Sequence, residues 1–475
     1  MGYLSKGDYW PPTKEERQRI EKYKKHRKLF QGRHDEVFKK IQRQLENNDQ
    51  VVMTYLVCNY CGLLSKLSAD MLFGEHPQFK AGNEGNNNDS PLKANERLQE
   101  LIAENNLYTE LYESALGNSY RGDSCFKIRY AKRSKYREER NIIIESQNPK
   151  YFFVEQADDN IRQIDRQIIA WDFLKDTTGD GIDDTHFLKL EVHEPGKIYH
   201  SLYKISGYTI QEQVSLDTLY PNLDEEEETG IDDFIIVHIP NWRDDESYWG
   251  YSDYLDIKTL QDEANNRISQ IARVLDKHAD PKMKGPAEAM DKDGNIDVTG
   301  GKYFPYEKDG SEPKYITWEA KLDSAFKQVD YMLKFMFMIT ETSPSAFGLS
   351  EANMANSGIA LKYRLMRLFS KIARKKTYYD NNIKDLLYKA QLMDVYHNSN
   401  NYEPVEISTT WRDGIPDDDK ELSEITENLN RADAISIEEK VRKNNPDWNE
   451  EKVQKEVARI EDEIEAENST APYTL

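Results

Sequence analysis

The sequence predicts an α+β chain, with its strands and its long helices in separate stretches. From about Ser124 to residue 240, the runs "CFKIRYAKR", "NIIIESQNP", "YFFVEQ", "RQIIAWDFLK", "THFLKLEVHE", "KIYHSLYKI" and "YTIQEQVSL" are β-branched and aromatic and are split by turns. That is the pattern of antiparallel strands. Two long helices follow. Leu260, Ala264, Ile268, Ile271 and Leu275 repeat at three-to-four spacing over 253–278, and Leu322, Phe326, Val329, Leu333 and Met336 do so over 319–341. A third long helix is predicted from Ser357 to about His397.

The remaining elements follow in order. Residues 14–46 are charged at helical spacing, and 50–73 read as a buried helix stopped by Gly74. Lys66 and Asp70 interrupt that apolar run, so it is a core helix and not a membrane span. "AGNEGNNNDSP" (81–91) is a loop, and helical periodicity returns from about Leu92 to Asn118. "DEEEE" (224–228) reads as a solvated loop. A Gly- and Pro-rich extended segment (280–315) separates the two striped helices, so they bracket a small β insert. Pro344 ends the second of them. The tail is helical and acidic, and there is no internal repeat.

At 475 residues the chain has room for two to four structural units. Apolar residues are 38% and charged residues 32%, so much polar surface is exposed or thin arms form. The net charge of −22 argues against an ordinary high-affinity nucleic-acid binder, which is basic. The charge is uneven: residues 1–50 hold 13 Lys+Arg against 8 Asp+Glu, and 401–475 hold 9 against 21. Three cysteines point to a reducing compartment, and the charged opening to the absence of a leader.

The candidate sites are weak as chemistry. In "SPSAFGLSEANMANSGIALKYR", Gly348 and Gly358 are ten apart with no Lys-Ser or Lys-Thr after them, so no P-loop forms. "CNYC" (Cys58, Cys61) has metal-like spacing but lacks two more ligands, and two buried thiols explain it. "DTTGDGIDDTHF" (176–187) resembles a calcium loop, but Thr178 and Phe187 stand at ligand positions, which favours a hairpin tip without calcium. There is no H-E-x-x-H and no G-x-S-x-G. The helix after the small-residue loop is more telling: residues 357–376 hold seven basic residues and no acidic one. On a helical wheel Arg364, Arg367, Lys371, Arg374 and Lys375 fall on one side, with Ile359, Leu365, Met366, Phe369 and Ile372 broadly opposite. That is either an ordinary solvated face or a stripe that meets an acidic neighbouring copy or DNA phosphate.

The order of elements, with "TETSPSAFG" and "ANSGIALKYR", resembles the SPP1-like portal family of tailed bacteriophages over roughly residues 40–470. The resemblance implies a portal fold: wing 1–250, first stem helix 251–278, clip 279–318, second stem helix 319–342, tunnel loop 343–357, long wing helix and return segment 358–414, and crown with tail 415–475. It implies a ring of twelve copies at one capsid vertex, in the virion after assembly in the host cytoplasm. Double-stranded DNA would pass through the ring without sequence specificity. The partners implied are the terminase large subunit, a head-completion adaptor, and capsid and scaffolding proteins, with no enzyme activity, cofactor, metal or membrane. Ser350, Glu351, Ala352, Asn353, Met354, Ala355 and Asn356 would face DNA, supported by Ile359, Leu365 and Phe369. A conduit must not grip its cargo, because each stable phosphate contact retains it. The rival readings are a packaging nuclease or ATPase, for which no motif is present, and a structural adaptor without a channel.

Overall fold

The computed structural model describes the chain except residues 1–2, 39–54, 83–88, 135, 137, 178, 180, 182, 280–282, 285–313, 316–321, 350–357, 401, 412–425, 433, 446–447, 449 and 471–475. The fold is mixed α and β, as expected, and forms two units. One comprises Met1–Met354 with Tyr363–Asp413, the other Ala355–Lys362 with Gly414–Leu475.

In the larger unit, α1 (Lys14–Phe30) starts at Thr13, whose hydroxyl accepts from the Glu16 amide, with Glu15 and Glu16 in its first turn. Helix α2 spans Tyr60–Phe73. It begins about ten residues later than the apolar run suggests, because Asn59 caps it by accepting from the Gly62 amide at 2.9 Å. Residues 55–58, just before the cap, are not helical. They lie along α5 (Lys258–Ala279), with the Leu56 amide donating to Ser269 Oγ and the Cys58 amide to Asn265 Oδ1. Asn106, at φ 47°, splits the next helical stretch into α3 (Asp89–Glu104) and α4 (Leu107–Arg121).

The β region forms two antiparallel sheets. β2 (Asp123–Lys132) lies between β10 (Ile236–Pro240) and β3 (Arg140–Gln147). The larger sheet runs β4 (Phe152–Ala157), β5 (Asn160–Lys175), β6 (Thr185–Glu194), β7 (Lys197–Ser206), β8 (Thr209–Val214), with β9 (Glu226–Glu228) also on β7. Part of the acidic run is therefore a short edge strand. The calcium-like segment joins β5 to β6 as a hairpin connection. There the Asp176 carboxylate accepts from the Gly179 and Gly181 amides, each at 2.7 Å. Trp10, Phe153, Leu188, Leu190 and Tyr203 form the core of this sheet. A short pair, β1 (Gln78–Ala81) with β13 (Ile407–Thr410), joins distant parts of the chain.

α5 packs on α6 (Leu322–Ile339) through Ala264, Ile271, Val329 and Met332. Met336 instead joins Tyr60, Leu64 and Tyr254 in a second cluster, while Leu275 and Phe326, at 48% and 49% exposed, lie outside both. Between α5 and α6, β11 (Met283–Lys284) pairs with β12 (Lys314–Tyr315). The rest of the insert lies outside the described residues. Helix α7 (Gly358–Asn398) is 41 residues long. In the smaller unit, Val441 of α8 (Ile437–Asn444) packs with Val453 and Val457 of α9 (Glu450–Thr470).

Candidate functional site

The site is the base of the small-residue loop, where the end of α6, the turn before α5 and the middle of α7 meet. The turn before α5 is set by two glycines. Gly122 (φ 104°) ends α4, and Gly250 passes so close that a Cβ on it would lie 2.1 Å from the Gly122 carbonyl oxygen. This crossing, with the Asp253 amide donating to the Ser119 carbonyl at 2.9 Å, fixes Asp253 in the interior.

Asp253 is the hub. Its Oδ2 accepts from Lys375 Nζ at 2.5 Å and Ser119 Oγ at 2.6 Å, and its Oδ1 lies 3.3 Å from Lys371 Nζ and accepts from Asn241 at 3.2 Å. Burial alone would raise this carboxyl, but Lys371 and Lys375 hold it well below the usual carboxylate range. Burial pushes Lys375 down to about 8, an effect that Asp253 partly offsets.

The loop's base lies next to this hub. After α6 the chain turns at Glu341, which adopts φ 56°, a left-handed conformation costly for a residue with a Cβ. The turn is held from three sides. Tyr60 Oη lies 2.7 Å from the hydroxyls of both Thr340 and Thr342, Lys371 Nζ donates to the Thr340 carbonyl at 3.1 Å, and Glu341 pairs with Arg374 and, at 3.2 Å, Arg367. Pro344–Phe347 then form one 3₁₀ turn capped by Ser343 and closed by Gly348 at φ 72°. Phe347 lies against Tyr60 and Phe337. Trp242, Asp253, Thr340, Glu341, Lys371 and Arg374 surround a cavity of about 330 Å³.

The predicted residues divide. Ser350, Glu351, Ala352, Asn353, Met354, Ala355 and Asn356 lie outside the described residues, as does the side chain of Ile359. Leu365 is buried and Phe369 half-buried, while Leu368, which the helical wheel did not single out, is buried more deeply than either. The five basic residues do not share one environment. Lys371 and Lys375 are buried on Asp253, Arg367 and Arg374 are exposed and turn to Glu341, and Arg364 is half-buried. Sequence reasoning missed Asp253 and Glu341, two carboxylates among 86. The available signal was indirect: a helix stretch with seven cations and no acid needs counterions from elsewhere.

Cys61 and Cys125 are buried free thiols, which burial pushes up to about 12, and Cys58 is half-buried. Among the described residues, no group of three or more His, Cys, Asp or Glu side chains is placed to hold a metal, and no helix is long and apolar enough to cross a membrane. What the arrangement does is mechanical: ion pairs and hydroxyls pin both ends of a turn that leads into the loop.

No curated protein matches the chain. A family model described as "Phage portal protein, SPP1 Gp6-like" matches residues 12–470. Its span takes in both sheets, the α5–insert–α6 unit, the pinned turn and the acidic tail, and the chain belongs to this family of phage portal proteins.

Proposed function

We propose that the protein works as a ring at one capsid vertex, with α5 and α6 as a stem, the insert between them as a docking surface for the terminase and later for a head-completion adaptor, and the loop at 350–356 as the element that meets passing DNA. The observation that carries this reading is the uncovered face of α6. Tyr331, Phe335, Met338 and Ile339 lie at i, i+4, i+7 and i+8 and are 61%, 51%, 69% and 44% exposed. Burying what remains exposed of each is worth on the order of 1 kcal/mol, which a lone subunit forgoes and a neighbouring copy recovers. A continuous ring covers this face on every copy. The pinned turn supports the same reading, since a loop that touches moving DNA needs a rigid base.

Negative-stain images and native mass spectrometry test the ring. The expected result is closed rings with a central hole, lost in the double variant Phe335→Asp/Met338→Asp while each subunit keeps its circular dichroism. Monomer at every salt and protein concentration would remove the reading. ATP hydrolysis by the purified chain would favour the packaging-enzyme alternative.

A further inference from the structure

We infer that the cavity between α1 and the start of α5 binds a small phosphorylated ligand. It has a volume of about 500 Å³ and is lined by Lys22, Lys25, His26 and Leu29 of α1, by Phe38, and by Lys258 of α5. Small-molecule sites run from about 300 to 1,000 Å³.

The chemistry of the lining is that of an anion site. Lys22, Lys25 and Lys258 form no ion pair among the described residues, although Asp123 attracts Lys22 from a distance. Glu21 and Asp262 also reach the cavity, but Glu21 is held by Lys24 at 2.8 Å. Burial and the nearby Lys258 charge lower Lys22 below the usual lysine range, so two ammonium groups crowd one space. Helix α5 is 22 residues long and starts at this wall, so its dipole adds to the attraction for an anion.

His26 is the second, independent pointer. It is 1% exposed, and its Nδ1 lies 2.8 Å from the Tyr120 carbonyl oxygen, so Nδ1 carries the proton and donates. Its Nε2 has no hydrogen-bond partner among the described residues. A buried acceptor without a donor is uncommon. It matches an O–H group, either on a singly protonated phosphate or on a sugar. Leu29 and Phe38 offer an apolar wall beside the cations. Three cations, one acceptor and an apolar wall around one cavity suit a single phosphate carrying an organic group, as in a nucleoside monophosphate. They suit the repeating phosphates of a duplex less well.

This inference rests on the α1–α5 geometry and not on the channel reading. The test is calorimetric titration of the full-length chain with inorganic phosphate, adenosine monophosphate and a short DNA duplex, at matched ionic strength. The expected result is binding of both small ligands, the nucleotide more tightly, weakened about tenfold or more in Lys22→Gln/Lys258→Gln. Lys25→Gln, at an exposed position, should weaken binding with no change in thermal unfolding, which guards against a folding defect in the double variant. Three results would overturn the proposal: no binding of either small ligand, binding unchanged in both variants, or binding of the duplex alone.

Discussion

Lys375 Nζ lies 2.5 Å from Asp253 Oδ2, with the two side chains only 3% and 1% exposed. The pair joins the middle of α7 to the turn that launches α5. Lys371, one helical turn earlier, reaches the same carboxylate and the carbonyl that ends α6. One buried carboxylate therefore ties together the three segments from which the loop's base is built. The arrangement is asymmetric, with one acid serving two cations, and that asymmetry decides what each substitution costs.

Asp253→Asn leaves two buried ammonium groups without a counterion. Breaking a buried pair in this way costs about 3–5 kcal/mol. Lys375→Met keeps the carboxylate opposite Lys371 at 3.3 Å and should cost less, about 1–3 kcal/mol. Urea denaturation at fixed protein concentration measures both, since assembly adds to apparent stability. Equal losses, or a loss under about 1 kcal/mol for Asp253→Asn, would contradict the hub.

The same pair sets a pH dependence with two limbs. The Asp253 carboxyl is depressed in the folded state, so its contribution is present above its unfolded value of 3.8 and is lost as pH falls below it. Lys375 is also depressed, to about 8 from 10.5. Between those values the unfolded chain binds more protons than the folded one, so this group makes stability rise with pH there. Lys375→Met should abolish the alkaline rise and leave most of the acid loss. A stability profile from pH 3 to pH 10.5 in the two proteins separates the limbs, and an alkaline limb that persists in the variant would refute the assignment.

Glu341 sets backbone strain against ion pairing. Its partners Arg367 and Arg374 are 72% and 52% exposed, so solvent screening limits each pair to about 0.2–1 kcal/mol. The left-handed backbone costs about 1–2 kcal/mol for a residue with a Cβ. Glu341→Gly loses the pairs and relieves the strain, so thermal stability should hardly move. Glu341→Ala loses the pairs and keeps the strain, so it should be the less stable of the two by about 1 kcal/mol. The reverse order would mean that the left-handed backbone at 341 carries no such strain.

How much of this was legible in the sequence depends on the kind of signal. The paired helices were readable because Ala264, Ile271 and Val329 lie on the predicted stripes and pack together, although Met332, which the stripe left out, is buried with them. The strands were readable because alternation and β-branching are local. The start of α2 was not, because hydrophobicity runs on through residues that extend along α5, and only the Asn59 cap marks the true boundary. The basic helix was half-read. A wheel groups Arg364, Arg367, Lys371, Arg374 and Lys375 by angle, but only Lys371 and Lys375 are buried, and their counterion is Asp253, more than a hundred residues earlier in the chain. Periodicity carries no information about a partner at that distance. The resemblance to portal proteins added what no local pattern holds, namely which loop to examine.

The last prediction concerns that loop. Residues 349–356 read "LSEANMAN", with Glu351 the only charged side chain and Met354 flexible and uncharged. In a ring, one such loop per subunit would encircle the duplex, grazing it and steadying it between motor strokes. Met354→Lys adds one cation per subunit and so a full circle of them. Each new phosphate contact steepens the salt dependence of DNA retention by roughly one unit of log–log slope. Packaging in vitro should slow or stall at low salt and recover as salt rises. Rings should still assemble, because the Asp253 hub and the α5–α6 core hold the subunit's fold. Normal packaging by intact rings would take the loop out of the channel. Failure of assembly would instead make the segment a contact between subunits.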